Sequence, residues 1–222
     1  MKMSSPEPRF LTQEAKCGVR LNLTLFPIDL RELRRALAKN GYELSSMGRL
    51  PSHPTRLGFS GEIARKTETS VIAESALGEI GVVGRSLGDV QTSFEELVEI
   101  VNSELRVNLY DNVRYYWYII HYKVDTGKLP HKQIDKTANE EYMRKFGRIL
   151  GRDLSSLSVR LVPKNAIANQ DSWLDVAIEP DVINGKFYHV GVVFRDPDKG
   201  KAETFVKDIE DNLLALIGTI EA

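Results

Sequence analysis

The sequence has a single cysteine, Cys17, so the chain cannot form an internal disulfide. It also has no apolar run near the roughly 18 residues that a membrane-spanning helix needs. Its first residues contain no apolar segment of the kind found in secretory signals. These absences predict a cytoplasmic protein that has no membrane partner and is stabilised by its hydrophobic core alone.

An excess of charge of either sign is missing too, because 30 lysines and arginines are balanced by 31 aspartates and glutamates, for a net charge of −1. A chain without excess positive charge has no strong long-range attraction to nucleic acid or anionic lipid. The composition therefore excludes a highly basic, histone-like binder. With 42% apolar and 27% charged residues, it is otherwise typical of a soluble globular protein.

The motifs that hold metals, nucleotides or catalytic nucleophiles are absent as well. The glycine-rich stretch at 78–88 matches neither GxGxxG nor the P-loop pattern, and no serine lies in a GxSxG turn. The histidines have no HxxxH or CxxC spacing, so a zinc site is not expected; they are His53, His121, His131 and His189. The sequence predicts no cofactor and no metal, and it favours a protein that is not an enzyme.

What the sequence does contain is a regular order of strand and helix signals. Apolar and polar residues alternate from Val19 to Phe26, which predicts a half-buried strand. Leucines at helical spacing predict a helix within 28–44, and three short strands follow between 58 and 87. A helix over 92–107 carries an apolar stripe at helical spacing. The first half thus has the order β-α-β-β-β-α.

The second half of the chain has the same predicted order. A strand at 113–124 is followed by a helix within 137–150, with Met143, Phe146 and Ile149 facing inward. Three further strands and a closing helix at 202–220 complete it. We therefore predict one compact α+β unit of two pseudo-repeats, at 19–110 and 111–222, after a disordered tail at 1–18. Its helices are expected to cover one face of an antiparallel sheet.

This element order resembles that of the TATA-binding-protein saddle, in which a β-α-β(4)-α unit is tandemly repeated. The resemblance is one of topology over most of the chain, and it includes no shared residue motif. It implies a continuous curved sheet with pseudo-twofold symmetry and carries no functional residue across, because fold does not determine function.

The stretch VRYYWYIIHYKV, at 113–124, concentrates aromatic residues in the opening strand of the second half. Aligning Val19 with Val113 predicts that Tyr115 and Trp117 face the helices. The other face of the sheet is then open, and its predicted binding residues are Arg20, Arg114, Tyr116, Tyr118, Trp173, Asp175, His189 and Arg195. Aromatic, arginine-bearing surfaces are typical of single-stranded nucleic-acid binders and of protein interfaces. The tyrosines could equally pack under a loop or against a second copy of the chain.

Two loops add candidate residues. The long connection at 48–58 contains Arg49, His53 and Arg56, which could meet an anion. The basic segment at 125–137 contains Lys128, His131 and Lys132.

Three hypotheses follow from these patterns. The first is a non-enzymatic binding protein that engages a macromolecular partner through the open face and these loops, and that self-associates as a homodimer through its tyrosines. The second is a nucleic-acid-associated regulator, which needs Arg20, Arg114, Lys128 and Lys132 on one continuous positive surface. The third is a small-molecule enzyme or sensor in which Asp175 and His189 form a general-base dyad beside Arg195.

Overall fold

The computed structural model describes residues 9–22, 27–46, 59–165, 167 and 170–222. Within these ranges the chain forms nine strands and six α-helices. The strands are β1 (Arg9–Leu21), β2 (Glu43–Leu44), β3 (Ser60–Lys66), β4 (Thr69–Glu74), β5 (Glu79–Gly84), β6 (Val113–Asp125), β7 (Val159–Leu161), β8 (Trp173–Pro180) and β9 (Tyr188–Asp196). The helices are α1 (Leu30–Lys39), α2 (Leu87–Glu104), α3 (Pro130–Lys136), α4 (Glu140–Leu150), α5 (Lys199–Lys207) and α6 (Ile209–Glu221). None of these helices is both long and apolar enough to cross a bilayer.

All nine strands belong to one antiparallel sheet in the order β2-β3-β4-β5-β1-β6-β9-β8-β7. The two longest strands, β1 and β6, pair with each other at its centre. The mixture of helices with one large antiparallel sheet confirms the predicted α+β class.

The hydrophobic core lies between one face of this sheet and the helices. Strand β1 contributes Ala15, Cys17 and Val19 to it, and β6 contributes Tyr118 and Ile120. Helices α2 and α6 add their own apolar residues to this core: Val90, Phe94, Leu97, Val98, Val101, Ile209, Leu213 and Ile217. Burial raises the pKa of the Cys17 thiol well above its ordinary value, so this cysteine is an inert core residue.

The predicted disordered tail is wrong for residues 9–18, which form most of β1. Residues 1–8 lie outside the described residues. The predicted strand at 19–26 ends at Leu21, and positions 23–26 also lie outside the described residues. The pattern around 14–17 does not indicate a strand, because the charged Glu14 and Lys16 face away from the core and the residues beside them that face the core, Ala15 and Cys17, are small.

The predicted orientation of β6 is wrong as well. Cys17 pairs directly with Tyr118, and Ala15 pairs with Ile120. Directly paired residues point to the same side of a sheet, so Tyr118 lies in the core and its neighbour Trp117 lies on the opposite face. The prediction aligned Val19 with Val113, whereas in the sheet Val19 pairs with Tyr116. A shift by an odd number of residues turns every side chain of a strand to the opposite face of the sheet.

The helices of the second half also differ from the prediction. Two helices, α3 and α4, lie between β6 and β7, and two more follow β9. Helix α4 buries none of its residues, so Met143, Phe146 and Ile149 do not face the core as predicted. The first half has one strand more than predicted, the two-residue β2.

Replacing Tyr118 with Asp should unfold the protein, because this side chain is only 8% exposed and the new carboxylate would be buried without a partner. The expected loss in the free energy of unfolding is several kcal/mol, and urea denaturation followed by circular dichroism would measure it. Leu11→Asp is the matched control, since Leu11 lies in β1 but is 63% exposed. A Tyr118→Asp protein as stable as the wild type would place this tyrosine in solvent.

Candidate functional site: the open face of the sheet

The face of the sheet opposite the core is called the open face here, because no described helix packs on it. Its central strands present Arg20 from β1, Tyr115 and Trp117 from β6, and Arg195 from β9. A cleft of about 350 Å³, the central cleft, lies on this face. Its lining residues are Lys16, Ser60, Gly61, Glu62, Ile72, Ala73, Glu74, Glu79, Ile80, Gly81, Tyr115, Trp117, Ile119, Val193 and Arg195.

Trp117 lines the central cleft, where two glycines make room for its ring. Gly81, Gly18 and Trp117 occupy one row across β5, β1 and β6. A Cβ atom on Gly18 would lie 2.6 Å from Cζ2 of the indole, and one on Gly81 would lie 2.9 Å from its Cη2. Real Cβ atoms do not approach other atoms this closely, so the indole can lie over β1 and β5 only because both positions are glycine.

The indole Nε1 of Trp117 is buried and has no hydrogen-bond partner among the described residues. A buried donor without a partner is unusual and costs free energy. Because Trp117 lines the central cleft, a group bound there could supply the acceptor.

Tyr115 lies at the centre of a polar cluster beside the cleft. Its hydroxyl donates to Oε1 of Glu79 at 3.2 Å and accepts from Nη1 of Arg20 at 3.1 Å. The guanidinium of Arg195 lies 5.3 Å from the centroid of the Tyr115 ring and 5.8 Å from that of Trp173. Burial raises the pKa of the Glu79 carboxyl, against the opposing effects of Tyr115 and Arg20. The cluster therefore holds a partly desolvated carboxyl beside aromatic and cationic groups.

Several other cations of the open face are paired with carboxylates. Lys16 lies 3.0 Å from Glu14. Arg160 donates to both carboxylate oxygens of Asp175, at 3.0 and 2.6 Å. A cation that is already paired gains little from a phosphate, so these contacts do not favour a surface that follows a nucleic-acid backbone.

A row of hydrogen-bonding side chains crosses the outer half of the open face. Nδ1 of His121 lies 3.3 Å from Nε2 of His189, and Nδ1 of His189 lies 3.2 Å from Oε1 of Glu179. The two imidazole rings are parallel, with centroids 5.4 Å apart. Burial lowers the pKa of His121, and the positive charge of a protonated His189 lowers it further. Among the described residues, no three such side chains surround one point in a way that could hold a metal ion.

The structure places the guanidinium groups of Arg20 and Arg195 over the Tyr115 ring, and that of Arg195 also over Trp173. Tyr118 is in the core, and Tyr116 points to the same helix-covered side, so their predicted exposure on the open face is wrong. Arg114 also has this orientation and forms an exposed ion pair with Asp171 at 2.7 Å.

Asp175 and His189 both lie on the open face but have different partners. Arg160 binds Asp175, whereas Glu179 and His121 contact His189. The predicted Asp175–His189 dyad is therefore not formed.

The loop residues do not extend the open face. Arg49, His53 and Arg56 lie outside the described residues. Lys128 pairs with Glu221 of α6 at 3.3 Å, and His131 and Lys132 are exposed in the first turn of α3. Because α3 packs against α6 and the core, this basic segment lies on the helix side, so the predicted continuous surface with Arg20 does not form.

Sequence reasoning missed Trp117, Tyr115 and Glu79 as site residues, and also the role of two glycines. A signal was present in the strands themselves. Glycine within a strand often marks a close approach of another group, and both Gly18 and Gly81 lie inside apolar strand patterns.

Replacing Gly81 with Ala should lower the free energy of unfolding by about 1–3 kcal/mol, the usual cost of overpacking. The new methyl would lie 2.3 Å from the Cys17 carbonyl oxygen and would displace the indole of Trp117. Urea denaturation and the emission of Trp117 in a Trp173→Phe background would measure both effects. Gly218→Ala in α6, where no atom lies within 4 Å, is the control and should be neutral or stabilising. Unchanged stability and emission in Gly81→Ala would contradict the packing described.

The imidazole of His121 should titrate below the ordinary histidine value of about 6.5, because burial and His189 lower its pKa. The unfolded chain then binds this proton more readily, so the contribution of His121 to stability is present above about pH 6.5 and is lost as the pH falls. NMR titration of the ring protons, assigned with His121→Asn, would measure the midpoint. In His189→Gln the midpoint should rise, and a midpoint that does not move would remove His189 as a cause.

Comparison with known proteins gives no family for this chain. No protein-family model matches it, and no curated protein sequence is significantly similar to it. The chemistry of the open face is therefore the basis for any proposal about function.

Proposed function

We propose that this chain is a non-enzymatic binding protein whose open face receives a protein partner, with one side chain of that partner in the central cleft. The main support for the proposal is the central cleft, in which Trp117 packs over Gly18 and Gly81 and lies beside Tyr115 and Arg195. Tryptophan, tyrosine and arginine are the residues that most often dominate protein–protein binding energy, and they do so in partly enclosed pockets. A volume of about 350 Å³ suits a single large side chain.

The charges around the cleft favour a basic side chain in it. Glu74 and Glu79 pair directly across β4 and β5, and Glu62 also lines the cleft. Like charges in a direct cross-strand pair are unfavourable. Arg20 lies 3.8 Å from Glu79, whereas within the described part of the chain no cation lies within ion-pair distance of Glu74. An arginine or lysine of the partner would neutralise Glu74 while its apolar stem packs on the Trp117 indole.

The proposal changes the surface that we expected for self-association. The sequence predicted a homodimer through Tyr116 and Tyr118, but Tyr118 is part of the core. The open face is therefore assigned to a different protein and not to a second copy. Cytoplasmic localisation stays a prediction.

A nucleic-acid-associated regulator is the second candidate, and the sheet order is the observation that favours it. We infer that the two halves are pseudo-repeats, because β1 and β6 lie side by side and the last strand of each half, β5 or β9, lies next to them. The remaining strands continue outward in reverse chain order on both sides. This order supports the resemblance to the TATA-binding-protein saddle. The paired cations of the open face weigh against the function.

Selection from a randomised peptide display library on the immobilised full chain would test the proposal. The enriched peptides should contain an arginine or lysine that is essential for binding. Glu79→Gln should weaken their binding at least tenfold, because the side chain keeps its acceptor for Tyr115 but loses its charge. Glu203→Gln on α5 is the matched control and should bind as wild type.

Two results would contradict this function. Enriched peptides without a required basic residue, or peptides that bind Glu79→Gln and wild type equally, would remove the central cleft as the binding site. Salt-dependent binding of single-stranded DNA that is lost in Arg20→Ala would instead favour the nucleic-acid candidate.

A further inference from the structure

The central cleft contains a buried hydrogen-bond donor that has no partner among the described residues. This donor is Nε1 of Trp117, a residue that is only 8% exposed. Nearly all buried polar groups in proteins are hydrogen-bonded, and each exception needs an explanation. Because Trp117 lines the cleft, a bound group that carries an oxygen acceptor would satisfy the indole N–H.

The cleft also contains carboxylate oxygens without partners. Three glutamates line it, and of these Glu62 accepts a hydrogen bond from a serine hydroxyl. Glu79 uses one oxygen, Oε1, for both of its contacts, with the hydroxyl of Tyr115 at 3.2 Å and Nη1 of Arg20 at 3.8 Å. Within the described ranges, neither Oε2 of Glu79 nor the carboxylate of Glu74 has a hydrogen bond or an ion pair. Acceptor oxygens on two neighbouring strands, β4 and β5, are therefore open to a ligand.

These two glutamates lie close enough to contact one ligand group. Glu74 and Glu79 pair directly across β4 and β5, and the Cβ atoms of such a pair are about 4.5–5.5 Å apart. Burial raises the pKa of the Glu79 carboxyl, and the negative charge of Glu74 raises it further. The two carboxylates repel each other, so a cation placed between them would be favourable.

A guanidinium group suits this pair of carboxylates better than an ammonium group does. It is planar and has five N–H donors in a fixed fork, so it can donate to two carboxylates at once and stack on an aromatic ring. The ammonium group of lysine is a compact, strongly hydrated point charge. Neither side chain has an acceptor for the indole N–H of Trp117. That acceptor is therefore expected from the main chain of the partner.

We propose that the partner residue in the central cleft is an arginine, whose guanidinium contacts both Glu74 and Oε2 of Glu79 while a main-chain carbonyl of the partner accepts from Nε1 of Trp117. This inference rests on the function proposed for the open face, and it narrows the partner to one kind of side chain. Lysine brings the same charge without the fork, so the cleft selects arginine over lysine. Citrulline has the shape of arginine without its charge and leaves the repulsion between the glutamates in place.

Nuclear magnetic resonance with blocked amino acids tests the cleft directly. The probes are the N-acetyl, N′-methylamide derivatives of arginine, lysine and citrulline, titrated over the millimolar range that ligands of this size require. Since the chain has two tryptophans, Trp173→Phe assigns the indole N–H signal of Trp117. The arginine probe should move this signal downfield, because the N–H gains an acceptor. It should bind about tenfold more tightly than the other two probes, the difference expected from one more hydrogen bond between charged groups.

Glu74→Gln separates the preference for arginine from binding in general. This change keeps the size of the side chain and removes its charge, so the arginine probe should bind about tenfold more weakly and lose its advantage over lysine. Glu203→Gln on α5 lies outside the cleft and should preserve both the affinity and the preference. Both variants should fold, since neither side chain is buried, and circular dichroism would verify this.

The peptides enriched by display on the full chain provide a second measurement. Their essential basic residue should be an arginine, and its replacement by lysine should weaken binding to the wild type about tenfold. The same replacement should matter less for binding to Glu74→Gln.

Two results would overturn the inference and leave the proposed function standing. The first is a lysine that replaces the arginine without loss of affinity, in the probes or in the peptides. The second is an indole signal of Trp117 that the arginine probe does not move, while basic peptides still bind and still require Glu79. If neither the probes nor any basic peptide binds, the inference and the proposed function both fail.

Discussion

One contact between a tryptophan and two glycines determines the shape of the open face. Trp117 lies in a row with Gly18 and Gly81, and its indole extends over both. A side chain at either glycine would prevent this, because its Cβ would lie within 3 Å of the ring and of the neighbouring backbone. The cleft exists because these two positions carry no side chain. The central strands therefore need glycine at positions 18 and 81 on the open face. On their other face, Cys17, Ile80 and Val82 are fully buried in the core.

The position of Trp117 also explains why the polar cluster forms beside it. Tyr115 has the same orientation two residues earlier on β6, where Arg20 of β1 is its direct partner across the strands. Arg195 lies on β9 opposite Trp117, so its guanidinium reaches the Tyr115 ring on one side and Trp173 on the other. The cations on this face thus contact rings and carboxylates of the same protein. If the open face binds a protein partner as we propose, shape and the carboxylates around the central cleft contribute more to the choice of partner than long-range attraction to phosphates does.

The sequence predicted the class of the fold because most of its elements have one clear periodicity. The alternation in Val19–Leu21 and in β8 and β9 identified strands and their buried sides correctly. Strand β6 could not be oriented in the same way, because both sides of it are apolar and aromatic: Tyr115, Trp117 and Ile119 on one, Tyr118, Ile120 and Tyr122 on the other. Periodicity gives no orientation when neither side is polar. The orientation of β6 is decided by which residues it pairs with on the neighbouring strands, and this pairing cannot be read from a single sequence.

The same limit applies to α4, whose apolar stripe correctly predicted a helix and wrongly predicted a buried one. An amphipathic pattern indicates that a surface will be covered, but not by which molecule.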